Sequence, residues 1–465
     1  MRRTKIICTI GPKTESEEMM HKLILAGMNI ARINLSHGEM QWHSKVAKRL
    51  KDASKQSAFP ISLLIDTQGP EIRTSATEVD LQEGDTFKIA ISSACDIQEG
   101  EKHTFINYSG LASSVKKGDA ILIDDGLIAL EVQKVGEFHV LCRVLNKGKL
   151  GQRKSVNLPG INAKLPAVTQ RDKECIKKLV PFGIDFIAQS FVSRKEDVRE
   201  MRSFLSSIGC TARIIAKIEN QMGIDHLDEI IQESDGVMVA RGDLGVEIPL
   251  EQIPIVQHLM VGKCIAQGKP VIIATHLLES MVINPRPTRA EVTDVANAVF
   301  QKADAIMLSA ETTKGEYPLE CVKTMHRIVK NVQTHLHFDS PAQLQTDDPK
   351  EAIALGACIN ADNLKAKAIV VFSRTGNLLS LVAKRRPNTD IFVFTDDEGV
   401  RGRLMLYWST FSFPLHFRAD FNETVDEAIA LLKGRRYLLP KDKIVIISDI
   451  IPKRGIETLE IRTIE

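Results

Sequence analysis

Eight short apolar runs, each ending in polar residues, constrain this chain more than any other feature. In order they are KIICTIG (5–11), MNIARINLS (28–36), ISLLIDTQG (61–69), DFIAQSFV (185–192), RIIAKIE (213–219), GVMVAR (236–241), PVIIATHLLE (270–279) and AIMLSAE (305–311). Runs this brief and rich in Ile and Val fit strands buried on both faces, the condition of a parallel sheet. Helix-length amphipathic segments lie between most of them, so the expected fold is α/β: a (β/α)8 TIM barrel.

The third interval breaks the pattern. From about residue 71 to 165 the chain alternates and turns on Gly-Asp pairs, as in EGDTFKIAI and KKGDAILIDDGLIALEVQKV. That spacing predicts an inserted small β-barrel domain in a barrel loop. The polar stretch FDSPAQLQTDDPK (338–350) reads as a linker, and AKAIVVFS, TDIFVFT and DKIVIIS beyond it predict a C-terminal α/β open-sheet domain. The expected division is therefore 1–70 with 166–337 for the barrel, 71–165 for the insert and 338–465 for the last domain. A chain of 465 residues is too long for one core in any case.

Composition narrows the partners. With 61 basic against 59 acidic residues the formal net charge is +2, which gives no whole-chain attraction to nucleic acid or to an anionic membrane. The start, MRRTKIICTIGP, reads as a first strand rather than a signal peptide, and no run reaches the ~18 apolar residues of a membrane span. Eight scattered cysteines without a C-x-x-C pair fit a reduced cytoplasmic protein lacking a zinc site.

Chemistry in such barrels gathers where strands end at the C-terminal mouth. There the sequence places Arg32, Asn34, Ser36 and His37 after the second strand, Asp66 and Thr67 after the third, and Lys217 and Glu219 after the fifth. Arg241 and Asp243 follow the sixth strand, Thr275 and His276 the seventh, and Ser309 and Glu311 the eighth, so all are expected in one cavity. Glu219 and Asp243, hard oxygen donors without His or Cys partners, suit Mg²⁺ or Mn²⁺. Lys217 and Glu219 share a strand face by their spacing of two. With Arg32, Arg73 and Arg241 they would neutralise a multiply charged phosphate, the demand of phosphoryl transfer.

In the same order, TKIICTIGP (4–12), GMNIARINLSHG (27–38), DTQGPEIR (66–73), NLPG (157–160), AKIEN (216–220), SDGVMVARGDLGVEIP (234–249), NPRPTRAEVTDVANAV (284–299) and LSAETTKGEYP (308–318) resemble segments of the pyruvate kinase family. The resemblance is strong over roughly 1–335 and weak beyond, and it implies transfer of the phosphoryl group of phosphoenolpyruvate to ADP. It implies that Lys217, Thr275 and Arg32 are catalytic, and that Gly242 and Asp243 join them around phosphoenolpyruvate. It further implies Glu219 and Asp243 as Mg²⁺ ligands, Asn34, Ser36, Asp66 and Thr67 as a K⁺ site, and Asn34, His37, Arg73 and Lys154 on the nucleotide side. A cytoplasmic homotetramer follows from the likeness alone. Other barrel enzymes acting on phosphoenolpyruvate, and a degenerate metabolite sensor, are the alternatives; the second is disfavoured because Lys217, Glu219, Asp243 and Thr275 are all present.

Departures from the family pattern are specific. His276 stands where a glutamine is usual, with packing beside the site as its expected role and a part in proton relay as the alternative, and Gln68 stands where a lysine is common. The insert is expected to act as a lid with Pro70 and Pro166 near its hinges. In the last domain Ser373, Thr375 and Gly376 resemble a phosphate-holding effector loop, but Leu378 replaces its final hydroxyl and the ending IIPKRGIETLEIRTIE lacks a longer effector segment. Activation by fructose 1,6-bisphosphate is therefore not expected, and a monophosphate is the alternative ligand.

Overall fold

A computed structural model describes residues 1–57, 60–161, 163, 165–335, 347–449 and 458–465. Its barrel strands are β1 (Lys5–Thr9), β2 (Ile30–Asn34), β3 (Ser62–Asp66), β4 (Phe186–Gln189), β5 (Arg213–Ile218), β6 (Gly236–Ala240), β7 (Val271–Ala274) and β8 (Ala305–Leu308). All eight expected strands are present, pair in parallel in chain order, and close through the register Lys5↔Ala305 between β8 and β1. Each is shorter than its apolar run, because the polar tail leaves the sheet to build the mouth. After β6 the turn is immediate: a helix, Arg241–Glu247, begins at the next residue.

Alternation along the strands divides the core in two. Ile6, Ile65, Ile214 and Ile273 face outward beneath the helices, whereas Ile7, Leu64, Ile215 and Ile272 face inward. Burying one such side chain contributes ~1.5–3 kcal/mol, so a one-residue register slip is heavily penalised. The helices begin where local chemistry dictates. Ser16 accepts from Met19 N at the start of Glu17–Ala26, and Thr288 and Glu291 form a reciprocal cap on Arg289–Phe300.

Between β3 and β4 the insert forms a six-stranded sheet, ordered Val156–Asn157, Ala120–Ile123, Ile128–Val135, His139–Val144, Thr86–Ala90, His103–Phe105. A ribbon of Val79–Leu81 with Gly148–Leu150 joins it, around a separate core that includes Phe87, Leu130 and Val140. The linker expected at 338–350 lies outside the described residues as far as 346. The three strands expected beyond it are β9 (Ala368–Phe372), β10 (Asp390–Thr395) and β12 (Lys443–Ser448). Two more complete the sheet, β11 (Thr410–Pro414) and an antiparallel β13 (Thr458–Thr463), in the order β11-β10-β9-β12-β13. Of the ending IIPKRGIETLEIRTIE, residues 450–457 lie outside the described residues.

The last domain closes the barrel floor. Leu406 is fully buried and clusters with inward-facing residues of the strands, among them Ile7, Phe186 and Met238. Beside it Asp304 receives Arg386 through two contacts of 2.9 and 2.6 Å, Trp408 N at 2.8 Å and Val271 N at 2.9 Å. Both charged groups are almost fully buried, and four donors to one carboxylate offset the desolvation that such a pair carries. The mouth, at the opposite end, is left open for chemistry. No helix among the described residues is long and apolar enough to cross a membrane.

Candidate active site

At the mouth lies a cavity of about 980 Å³ walled by barrel strand ends and by the insert. Its floor is a chain of charge spanning four strands. Arg32 donates to Thr9 Oγ1 at 2.8 Å and to Asp66 Oδ2 at 2.7 Å. Asp66 Oδ1 then meets Lys217 Nζ at 3.1 Å, and Lys217 reaches Glu219 Oε1 at 2.8 Å and Ser190 Oγ at 2.7 Å. The other carboxylate oxygen of Glu219, Oε2, accepts from Phe191 N at 2.6 Å, from a residue held at φ 56°.

Burial and charge oppose one another here. Burial disfavours the Lys217 ammonium, but Asp66, Glu219 and Asp243 outweigh it and hold the pKa above the usual lysine value. Burial likewise disfavours ionised Asp66, yet Lys217 and Arg32 hold that carboxyl below its usual value. Glu219 is pushed up by burial and by Asp243 in spite of the lysine. An incoming dication would complete what Lys217 begins, since a buried carboxylate beside a second carboxylate is stabilised by added positive charge.

The sixth and seventh strands supply the opposite wall. Arg241 donates to Ala274 O at 3.2 Å, Thr275 O at 2.6 Å and Asp294 Oδ1 at 2.8 Å, so its guanidinium braces the loop after β7. Thr275 and His276 are held at φ 65° and 54°, a region a β-branched residue rarely adopts. Thr275 Oγ1 donates to Ala274 O at 2.7 Å and accepts from Gly242 N at 2.8 Å. Gly242 lies against this loop: a β-carbon there would stand 3.5 Å from both Thr275 Oγ1 and His276 Cε1. Asp243, next along the helix, is exposed to the cavity.

The matching family models cover nearly the whole chain: "Pyruvate kinase, barrel domain" over residues 1–322 and "Pyruvate kinase, alpha/beta domain" over 351–461. A pyruvate kinase of Sporosarcina psychrophila is 40% identical over 97% of this chain and 78% of its own length. That of Clostridium acetobutylicum is 38% identical over 97% of this chain and 96% of its own. A crystal structure of a pyruvate kinase from Cryptosporidium parvum superposes with a TM-score of 0.94 at 35% identity, covering 100% of this chain and 96% of that one. The chain belongs to the pyruvate kinase family. It is thus a phosphotransferase, and the family's reaction converts phosphoenolpyruvate and ADP to pyruvate and ATP.

In this pyruvate kinase fold Arg32, Asn34, Ser36, His37, Arg73, Lys217, Glu219, Gly242, Asp243 and Thr275 all border the cavity. Asp66 and Thr67 lie buried just behind it. Lys154 sits on the insert, paired with Asp124 at 2.9 Å, and does not line the cavity. The expectation that Ser309 and Glu311 share the mouth is corrected. Glu311 is fully buried and caps Ser309 N at 2.7 Å and Leu278 N at 3.1 Å, a structural duty that satisfies loop donors. His276 is also corrected, because it is exposed at the cavity rather than packed beside it. Asn220, the last residue of AKIEN, caps the helix Gln221–Asp225 through Gly223 N.

Ser190, Asp294 and Asn157 were missed as site residues by sequence reasoning. Ser190 ends the fourth strand's run, so the strand-end rule that found the others would have found it. Asp294 and Asn157 carry no such signal, since one lies on a helix and the other on the insert. In the last domain Ser373 Oγ accepts from Gly376 N at 3.1 Å and donates to Asp449 Oδ2 at 3.3 Å. Arg374 meets Asp396 at 3.2 Å, Lys384 pairs with Glu351, and Leu378 is fully buried. Carboxylates thus stand beside the Ser373 hydroxyl and the Arg374 guanidinium, while Lys384 lies at the far end of the helix Asn377–Ala383.

Proposed function

We propose that the barrel mouth performs this phosphoryl transfer with Lys217 as the group acting on the charge in flight. The reading is carried by one observation: a lysine ammonium fixed 3.1 and 2.8 Å from two buried carboxylates, beside the exposed Asp243. Such an ammonium stays charged and immobile, so it costs no reorganisation when the phosphoryl group crosses between oxygens. Arg32 and Arg241 extend the positive field, and Gly242, with no side chain, lets a phosphate approach the backbone. Thr275 holds its hydroxyl at the face where enolpyruvate takes up a proton.

Glu219 and Asp243 fit Mg²⁺ (or Mn²⁺): two hard carboxylates with no larger cluster of His, Cys, Asp and Glu among the described residues, which leaves room for water and substrate oxygens. Bound there, the dication would neutralise the phosphate oxygens. Asn34, Ser36, Asp66 and Thr67 offer an all-oxygen set on adjacent strand ends, and the pairing Asn34↔Asp66 keeps it compact, as K⁺ requires. His37, Arg73, Asn34 and Lys154 serve the nucleotide phosphates, Lys154 after leaving Asp124.

The assignment of 1–70 with 166–337 to catalysis, 71–165 to a lid and 338–465 to subunit contact and regulation accompanies this reading. A cytoplasmic homotetramer does so too, and the exposed Ile255 and Leu259, one turn apart on the helix Ile253–Ala266, offer an apolar face for subunit contact. The test is pyruvate formation from phosphoenolpyruvate and ADP, coupled to a dehydrogenase, with and without Mg²⁺ and K⁺. Absence of ADP-dependent pyruvate under saturating ions would defeat the proposal.

A further inference from the structure

The insert touches the barrel mouth at a defined place. Asn157, on the edge strand Val156–Asn157, donates through Nδ2 to Glu247 Oε1 at 3.2 Å. Glu247 ends the helix Arg241–Glu247, which carries Gly242 and Asp243 at its start. Beside this bond the hairpin tip Asp124-Asp125-Gly126 meets the same helix: a β-carbon on Gly126 would lie 3.6 Å from Val246 Cγ1.

That tip has a well-defined turn geometry. Asp124 and Asp125 are held at φ 57° and 53°, and Gly126 at 87°. Aspartate tolerates the left-handed region better than most residues, and neighbouring side chains fix the turn. Here Lys154 grips Asp124 at 2.9 Å, while Ser155 Oγ donates to Asp125 Oδ1 at 2.8 Å and accepts from Asp125 N at 3.1 Å. Lys154, Ser155 and Asn157 are successive parts of one strap, and the pairing Asn157↔Leu122 ties it to the strand leading into the tip. The strap therefore shapes the tip and bonds the barrel helix with the same few residues.

We propose that Asn157 and Glu247 form the latch that seats the insert on the helix bearing Gly242 and Asp243, making Glu247 a positioning residue that couples closure to the phosphoryl-transfer site. This rests on the function proposed above. Glu247 borders the cavity itself, four residues beyond Asp243; the role assigned to it is to fix where the insert stops. A single hydrogen bond to a carboxylate is weak enough to break in each turnover, and the helix of about two turns transmits its position to Gly242 and Asp243. With the latch open, water reaches the phosphoryl group in competition with ADP.

The test uses the full-length protein with E247L, N157A and E247Q, the last keeping an acceptor oxygen without the charge. Hydrogen exchange of residues 120–128 and 154–158, without ligands, is expected to quicken about five- to tenfold in E247L and N157A and to match the parent in E247Q. In the coupled assay the first two should release more pyruvate per ATP formed, and E247Q should restore the parent ratio. Unchanged exchange in E247L and N157A overturns the latch, as does E247Q behaving like E247L. If the parent forms no ATP, the proposed function fails, while the exchange arm still decides the latch on its own.

Discussion

Replacing Lys5 by methionine isolates the energetics of the barrel floor. Lys5 is fully buried at the start of β1, its Nζ donates to Thr410 O, and the ammonium sits 4.2 Å from the centre of the Phe411 ring. Burial, helped by the repulsion of Arg2, pulls its pKa down from 10.5 to about 7. In the unfolded chain the lysine holds its proton up to its ordinary value, whereas the folded chain releases it from about pH 7. Between those limits the unfolded state binds more protons, so stability rises with pH, at ~1.4 kcal/mol per pH unit. Below pH 7 both states are protonated and the burial penalty is fully present. The parent should therefore gain ~2–3 kcal/mol from pH 7 to 9 through this residue, and Lys5→Met should not. Lost bonds to Thr410 and Phe411 shift the variant by a constant that cancels in the pH difference. Paired thermal unfolding at pH 6.5, 7, 8 and 9 reads the effect as a gap in Tm that moves by roughly 2–5 °C across the range, the smaller shift if the whole chain unfolds as one unit and the larger if the barrel unfolds alone. A gap that stays constant with pH, or moves in the opposite direction, would refute the reasoning.

Lys217→Met should leave phosphoenolpyruvate affinity within about tenfold and lower kcat by ~4 kcal/mol or more; retention of over about a tenth of kcat would rule out a role in the transition state. Activity should be far lower in tetramethylammonium than in potassium buffer, and equal rates would reject the proposed K⁺ site at Asn34, Ser36, Asp66 and Thr67. Asp304→Ala leaves Arg386 buried without its carboxylate and should cost ~3–5 kcal/mol in chemical denaturation; a loss below ~1 kcal/mol would show that the floor rearranges. Fructose 1,6-bisphosphate at millimolar concentration should change neither the apparent phosphoenolpyruvate affinity nor Tm, given Leu378 in the core and Asp449 beside Ser373. Strong activation would mean that the loop holds a phosphate in another arrangement.

Period-two spacing made Lys217 and Glu219 legible, because both follow Ile215 on the inward face of β5 and only the last residues of such a face escape the packed interior. The same logic applies to Asp66, two residues beyond Leu64 on the inward face of β3, whereas Asp243 and Thr275 follow their strands in a helix and in a loop braced by Arg241. Glu311 shows where it stops. A strand-end carboxylate becomes a cavity residue or a loop cap according to which backbone donors lie near, and Leu278 N belongs to another segment of the chain. His276 diverged for a related reason: its positive φ, set within the loop braced by Arg241, turns it toward the cavity.

Local sequence by itself determined the strands, their order in an α/β alternation, the existence of the insert and the charged residues at the strand ends. These are short-range properties of apolar periodicity and backbone chemistry. Tertiary structure alone decided that Leu406, distant in sequence, fills the barrel floor, that Asp304 meets Arg386 across domains, and that Asn157 bonds Glu247. Each of these joins residues at least 80 positions apart, with separations of 82 and 90 for the two bonded pairs. No periodicity spans such distances, so only the packing of finished domains determines which side chains meet.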